Sequence, residues 1–141
     1  MAAMYTGVVT VIGEGRDGGR VRAEDGLLET GLAIPKELGG AGGATNPEQL
    51  FAAGWSACFV GAVRRAAALR KVTLEGVSVQ ASVTLHHEDP DDYGLSAVLR
   101  LELSGVAQRT ADELGAAAHR LCPYSKATRG NIPVTIEAVA V

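Results

Sequence analysis

The chain has 141 residues, enough for one domain, and its 47% apolar and 21% charged residues exclude wholesale disorder. Thirteen basic against sixteen acidic residues leave a net charge of −3, which gives no electrostatic ground for nucleic acid or an anionic membrane as partner. Two cysteines, Cys58 and Cys122, are too few for a disulfide scaffold or a four-ligand zinc site, and one Trp, three Tyr and two Phe make a thin core whose missing burial implies a partner subunit.

The opening MAAMYTGVVT lacks the basic region and long apolar run of a secretory signal. Residues 4–13 are β-branched and apolar and read as a strand, followed by a turn at EGRDGG (14–19). Residues 20–34 alternate around Asp25-Gly26, a two-residue hairpin signal, and 35–46 form a glycine-rich loop. Asn46 as N-cap, Pro47 at N1 and Gln49 at N3 then start a helix running to about Arg70. It is apolar on nearly every side until Arg64, as expected of a helix surrounded by other structure. Its uncharged part, Gln49–Val63, is 15 residues long and contains two glycines, short of the about 20 apolar residues of a membrane span. The expected location is cytoplasmic and reducing, where a disulfide is transient and catalytic.

Residues 77–88 and 95–104 alternate and pair as a hairpin through EDPDDYG. Thr110 as N-cap and Glu113 at N3 start a helix over 110–121, Pro123 restarts a helical turn to about Arg129, and 133–140 read as a strand. This order predicts a single α+β domain over 1–141, with antiparallel sheets around a long central helix.

Several patterns look chemical. GEGRDG (13–18) spells Gly-x-Gly-x-x-Gly, yet a dinucleotide fingerprint must open a helix, and here a strand hairpin follows; a turn needing positive φ fits better. GGAGGAT lacks the Lys-Ser/Thr of a phosphate-binding loop and reads as a loop. His86 and His87 are adjacent on a strand and point to opposite faces, so with Glu88, Asp89, Asp91 and Asp92 they read as a solvated hairpin end rather than a metal site. His119 and Cys122 have an i, i+3 spacing that suits zinc, but no second ligand pair accompanies them. For the cysteines themselves two readings stand. A free Cys is commonly a small buried hydrophobe, and Cys58 sits mid-helix among Trp55, Phe59 and Val60. Cys122, however, precedes Pro123 at a helix start, where backbone N–H groups favour thiolate. Cys58 has no such aid and would need an arginine; Arg65 of the same helix lies seven residues on, about 10 Å along the axis.

Four blocks resolve this choice. TNPEQLFAAGWSACFVGA (45–62), CPYSKATRGNI (122–132), PKELGGAGG (35–43) and EGRDG (14–18) resemble the organic hydroperoxide resistance branch of the OsmC-like family, and the similarity spans essentially the whole chain. The resemblance implies a dithiol peroxidase and an intertwined homodimer with its sites at the interface. It assigns Cys58 as peroxidatic cysteine, Cys122 as resolving cysteine, Arg16 as activating arginine and Glu48 as its carboxylate partner. It implies organic hydroperoxides as substrate, no bound cofactor, and the dihydrolipoyl dithiol of a lipoylated protein as electron donor. Two departures are visible: Trp55 stands where the family usually has Tyr, and HHEDPDDYG (86–94) is more acidic than usual.

On that reading a guanidinium near Cys58 lowers the thiol pKa and steadies the leaving alkoxide, and Glu48 holds Arg16 bidentately. Glu48 and Cys58 are ten residues apart on one helix, roughly 15 Å of rise. The arginine–glutamate pair beside each thiol is therefore expected to take at least one member from the other subunit. The alternatives are an OsmC-type peroxidase with a broader peroxide range, and a non-enzymatic thiol redox sensor.

Overall fold

The computed structural model describes residues 1–141. The chain packs as two compact units, Met1–Leu50 and Phe51–Val141.

In the first unit, β1 (Val9–Gly13), β2 (Gly19–Ala23) and β3 (Glu29–Gly31) form an antiparallel sheet in the order β1-β2-β3. β1 is shorter than the apolar run at 4–13 suggested, because its partner β2 supplies five facing residues, Val9↔Ala23 to Gly13↔Gly19. The EGRDGG segment is a turn, with Gly13, Gly15 and Gly18 at φ of 105°, 62° and 149°. Those angles favour glycine and account for the Gly-x-Gly-x-x-Gly spelling. In the β2–β3 hairpin, Asp25 Oδ1 accepts from the Leu27 N–H at 2.9 Å. The unit buries little of its own: Val21 and Leu32 are enclosed, whereas Val9, Val11, Ile12, Leu27 and Leu28 are exposed.

The long helix α1 (Pro47–Leu69) starts where its signals lie. Asn46 Oδ1 accepts the Gln49 N–H at 2.9 Å, and the Gln49 side chain accepts from the Thr45 hydroxyl at 2.6 Å. The cap thus forms as expected, while its return arm goes to Thr45 instead of the Asn46 backbone.

In the second unit, β4 (Gly76–His87) and β5 (Tyr93–Ser104) pair antiparallel over their full lengths, from Gly76↔Ser104 to His87↔Tyr93. Ala97, Leu99, Leu101 and Leu103 alternate inward along β5. They pack with Trp55, Phe59, Val63, Ala66 and Ala67 of α1 and with Ala111, Leu114 and Ala118 of α2 (Gln108–Leu121). α1 was expected to be covered all round; here one stripe is buried, and Ala53, Ala57 and Gly61 face outward, exposed.

Two expectations need correction. Thr110 is not the N-cap of α2, which begins at Gln108 with Ala107 in the cap position. The Gln108 side chain donates to the Ala138 carbonyl and accepts from the Ala140 N–H, at 2.8 and 2.9 Å, so tertiary bonds pin a turn that local capping would have placed later. The sheets are not wholly antiparallel either. After α2 and α3 (Pro123–Thr128), β6 (Val134–Ala140) pairs parallel to β5, from Ala97↔Val134 to Leu103↔Ala140. A helical crossover returns the chain to the same end of the sheet, and only parallel pairing is then available.

Asn46→Ala is expected to lower stability by about 1 kcal/mol, and Asn46→Gly by less, because the lost acceptor strands the Gln49 N–H. Urea unfolding of the three proteins checks this, and equal midpoints would refute it.

Candidate active site

The two cysteines, 64 positions apart, meet in the second unit with Sγ atoms 3.4 Å apart, both as free thiols. Cys58 lies in the middle of α1 and is half-buried; Cys122 is fully buried. Cys122 is at once the residue that closes α2 and the N-cap of α3, with φ −63° and ψ 123°. Pro123 at N1 needs no N–H partner and brings the α3 start directly after the thiol.

Burial pushes the Cys58 thiol up, the adjoining Cys122 sulfur adds to that, and the Tyr124 backbone N–H pulls it down. The amide at the start of α3 therefore serves Cys58.

Three aromatic rings on the segments that carry the thiols pack on one another. Phe51 meets Trp55 edge-on, with centroids 5.6 Å apart, and lies 6.4 Å from the Tyr124 ring. A Cβ at Gly54 would come 3.2 Å from that ring, so glycine there lets Tyr124 lie against α1. Trp55 Nε1–H donates to Ser125 Oγ at 3.2 Å, both side chains fully buried. Beside these rings, Phe51, Leu95, Tyr124, Ala127 and Ile132 line a mainly apolar cleft of about 390 Å³. Trp55 stands beside Cys58 on the sequence alone; Phe51 and Tyr124 do not stand out there, although their short spacings to Cys58 and Cys122 carry the signal.

The polar half of the set lies in the first unit. Arg16 Nη1 and Nη2 donate to Glu48 Oε2 and Oε1 at 2.7 and 2.6 Å, a bidentate fork. Arg16 belongs to the 3-10 turn Gly15–Asp17, Glu48 to the first turn of α1. The carboxylate is mostly buried, at 16% side-chain exposure, and the Arg16 hydrogen bonds hold it below the usual carboxylate range despite that burial. So Arg16 and Glu48 pair with each other, and Cys58 and Cys122 pair with each other, each within one compact unit.

The other candidates go elsewhere. His86 is bonded to Ser96 Oγ at 2.7 Å, and His87 stacks on Tyr93 with centroids 4.6 Å apart. Burial and the Arg129 charge hold His119 below its usual pKa, and Arg129 donates to the His119 carbonyl at 2.7 Å. No group of three or more His, Cys, Asp or Glu side chains is arranged to hold a metal ion, and no helix is long and apolar enough to cross a membrane.

Residues 40–137 match the family model described as OsmC-like protein. The chain belongs to the OsmC-like family, in its organic hydroperoxide resistance branch. It is 47% identical over 135 residues to the organic hydroperoxide resistance protein of Xanthomonas axonopodis pv. citri (strain 306), covering 94% of this chain and 93% of that protein. To the organic hydroperoxide resistance protein OhrA of Bacillus subtilis (strain 168) it is 41% identical over 140 residues, with 95% of each covered. The crystal structure of an organic hydroperoxide resistance protein from Legionella pneumophila superposes with a TM-score of 0.92 at 45% identity, over 99% of this chain and all of that one.

Because Glu48 is held below its unfolded pKa of about 4.3, the stabilisation from the fork is complete above that value and fades as pH falls through the folded value. The stability gap between wild type and Glu48→Gln, roughly 1 kcal/mol at neutral pH, is expected to close as pH drops below about 4. Denaturant titrations at pH 7, 5 and 3.5 read it; a gap that widens in acid has the wrong sign for this pairing.

Proposed function

We propose that this protein is a cysteine-based peroxidase that reduces organic hydroperoxides to alcohols, the whole of 1–141 acting as one catalytic domain. The observation that carries the reading is the 3.4 Å approach of two free thiols 64 residues apart. The names of the relatives in Xanthomonas and Bacillus support the same substrate class.

The Cys58 thiolate attacks the terminal oxygen of ROOH. The O–O bond breaks, Cys58 becomes a sulfenic acid, and the alkoxide leaves as ROH after taking a proton. Cys122 condenses with the sulfenic acid, forming the disulfide and releasing water. A dithiol, for which a dihydrolipoyl group on a protein fits, attacks the disulfide and leaves as its own cyclic disulfide, restoring both thiols. Burial and the adjoining Cys122 sulfur raise the Cys58 thiol, so a guanidinium is needed to favour the thiolate and to meet the charge on the leaving oxygen. Arg16, aimed by Glu48, is read in that role. The apolar cleft beside Tyr124 suits an alkyl chain, at about 0.8 kcal/mol per buried CH2, and favours alkyl or fatty-acid hydroperoxides over H2O2.

The working form is read as a homodimer with its sites at the interface. The bare apolar surface of β1 and the hairpin supports this, as does the small-residue stripe Ala53, Ala57, Gly61, which would let a second α1 approach closely. The helical rise between Glu48 and Cys58 supports a fork supplied by the other subunit. A cytoplasmic setting fits the two free thiols.

With dihydrolipoamide as donor, wild type is expected to turn over cumene hydroperoxide many times and faster than H2O2. Cys58→Ser falls to background, and Cys122→Ser reacts once and then stalls or overoxidises. Equal rates with H2O2 would favour the broad-range OsmC-type peroxidase; a single stoichiometric oxidation of wild type would favour the redox sensor. Mixed dimers test the shared site. Arg16→Ala alone is expected to lose about 10²–10³ in rate. Pairing an Arg16→Ala chain with a Cys58→Ser chain should recover roughly half the wild-type activity, since one intact site remains. No recovery would mean that each chain supplies its own arginine.

A further inference from the structure

Trp55 stands three residues before Cys58 on α1, and Ser125 three residues after Cys122 in the first turn of α3. Their hydrogen bond, 3.2 Å between two side chains with no solvent exposure, ties together the two segments that carry the thiols. An indole N–H can only donate, and in an apolar surround it has no water to fall back on, so the bond persists as long as the core is closed. The Phe51 ring set edge-on against Trp55, at 81°, hinders rotation of the indole. The tie is therefore stiff at its indole end.

We propose that Trp55 and Ser125 are positioning residues whose bond clamps α3 to α1, so that Cys122 waits within reach of oxidised Cys58 and closes the disulfide before a second peroxide arrives. The sulfurs then have only a short distance to close, from 3.4 Å to a bond of about 2.05 Å. The sulfenic acid at Cys58 has two fates. Condensation with the Cys122 thiol forms S–S and expels water; attack on a second ROOH forms the sulfinic acid and releases ROH, and that product is not restored by thiols. The clamp raises the share of the first. It leaves the initial attack alone, because the polar atoms of both side chains are bonded to each other and not to the Cys58 sulfur. The biological meaning rests on the peroxidase reading, while the effect on the thiol pair does not.

The test uses the full-length reduced protein as wild type, Ser125→Ala, Trp55→Phe and the double variant. After stoichiometric cumene hydroperoxide, loss of the Cys58 thiol is expected to keep its rate within about twofold. Disulfide closure slows about tenfold or more, and sulfinic acid at Cys58, read by intact mass, builds up at lower peroxide. The double variant is expected to be no slower than the single ones, since both remove the same bond. Trp55 is the only tryptophan, so a buried-type emission in Ser125→Ala verifies that the core stays closed. In glutathione redox buffers, which close the disulfide without peroxide, the effective concentration of the thiol pair falls by a similar factor in each variant. A wild type that forms the disulfide in glutathione yet reduces no hydroperoxide would overturn the peroxidase reading and leave the clamp standing. Wild-type closure rates and wild-type glutathione equilibria in both single variants would overturn the clamp, as would a parallel slowing of the first step.

Discussion

Cys122 occupies one extended residue between two helices, and the sulfur pair depends on that joint. Its N–H still bonds back to the Ala118 carbonyl at 2.8 Å, and its carbonyl already accepts from the Lys126 N–H at 2.9 Å. A residue that closes one helix and opens the next has almost no backbone freedom left. Its thiol direction is then set by how α2 and α3 pack, and α2 in turn is held by Gln108 on the β6 edge and by Ala111, Leu114 and Ala118 in the core. A distance of 3.4 Å between side chains 64 residues apart is a product of the whole second unit.

The polar pair obeys a different constraint. A fork of two charge-assisted hydrogen bonds fixes both the position and the plane of the Arg16 guanidinium. The 3-10 turn that carries Arg16 relies on glycines at positive φ on either side, so the arginine sits on a short, stiff support. The Arg16 hydrogen bonds hold Glu48 below the usual carboxylate range, which keeps the fork charged at neutral pH. Electrostatic order in the first unit thus accompanies a poor apolar core, and packing order in the second unit accompanies a thiol made harder to ionise by burial.

Legibility followed the range of the interaction. The α1 start could be read because Asn46, Pro47 and Gln49 act within one turn of chain, and the β4–β5 hairpin because side-chain alternation is a local property. The α2 start was misread because Gln108 answers to Ala138 and Ala140, thirty and thirty-two residues on. The pairing sense of β6 was misread because it depends on where a crossover delivers the chain.

By itself the sequence determined the element order, the α1 cap, and a motif resemblance that named Cys58, Cys122, Arg16 and Glu48 together. Those depend on residue identity and short spacing, which the chain carries openly. Only the tertiary structure decided that the thiols stand 3.4 Å apart, that the expected Arg16–Glu48 fork closes within one chain at 2.6 and 2.7 Å, and that Trp55 is bonded to Ser125. Each of these is a distance between residues 32 to 70 positions apart, and such distances exist only once the sheet and helices have packed.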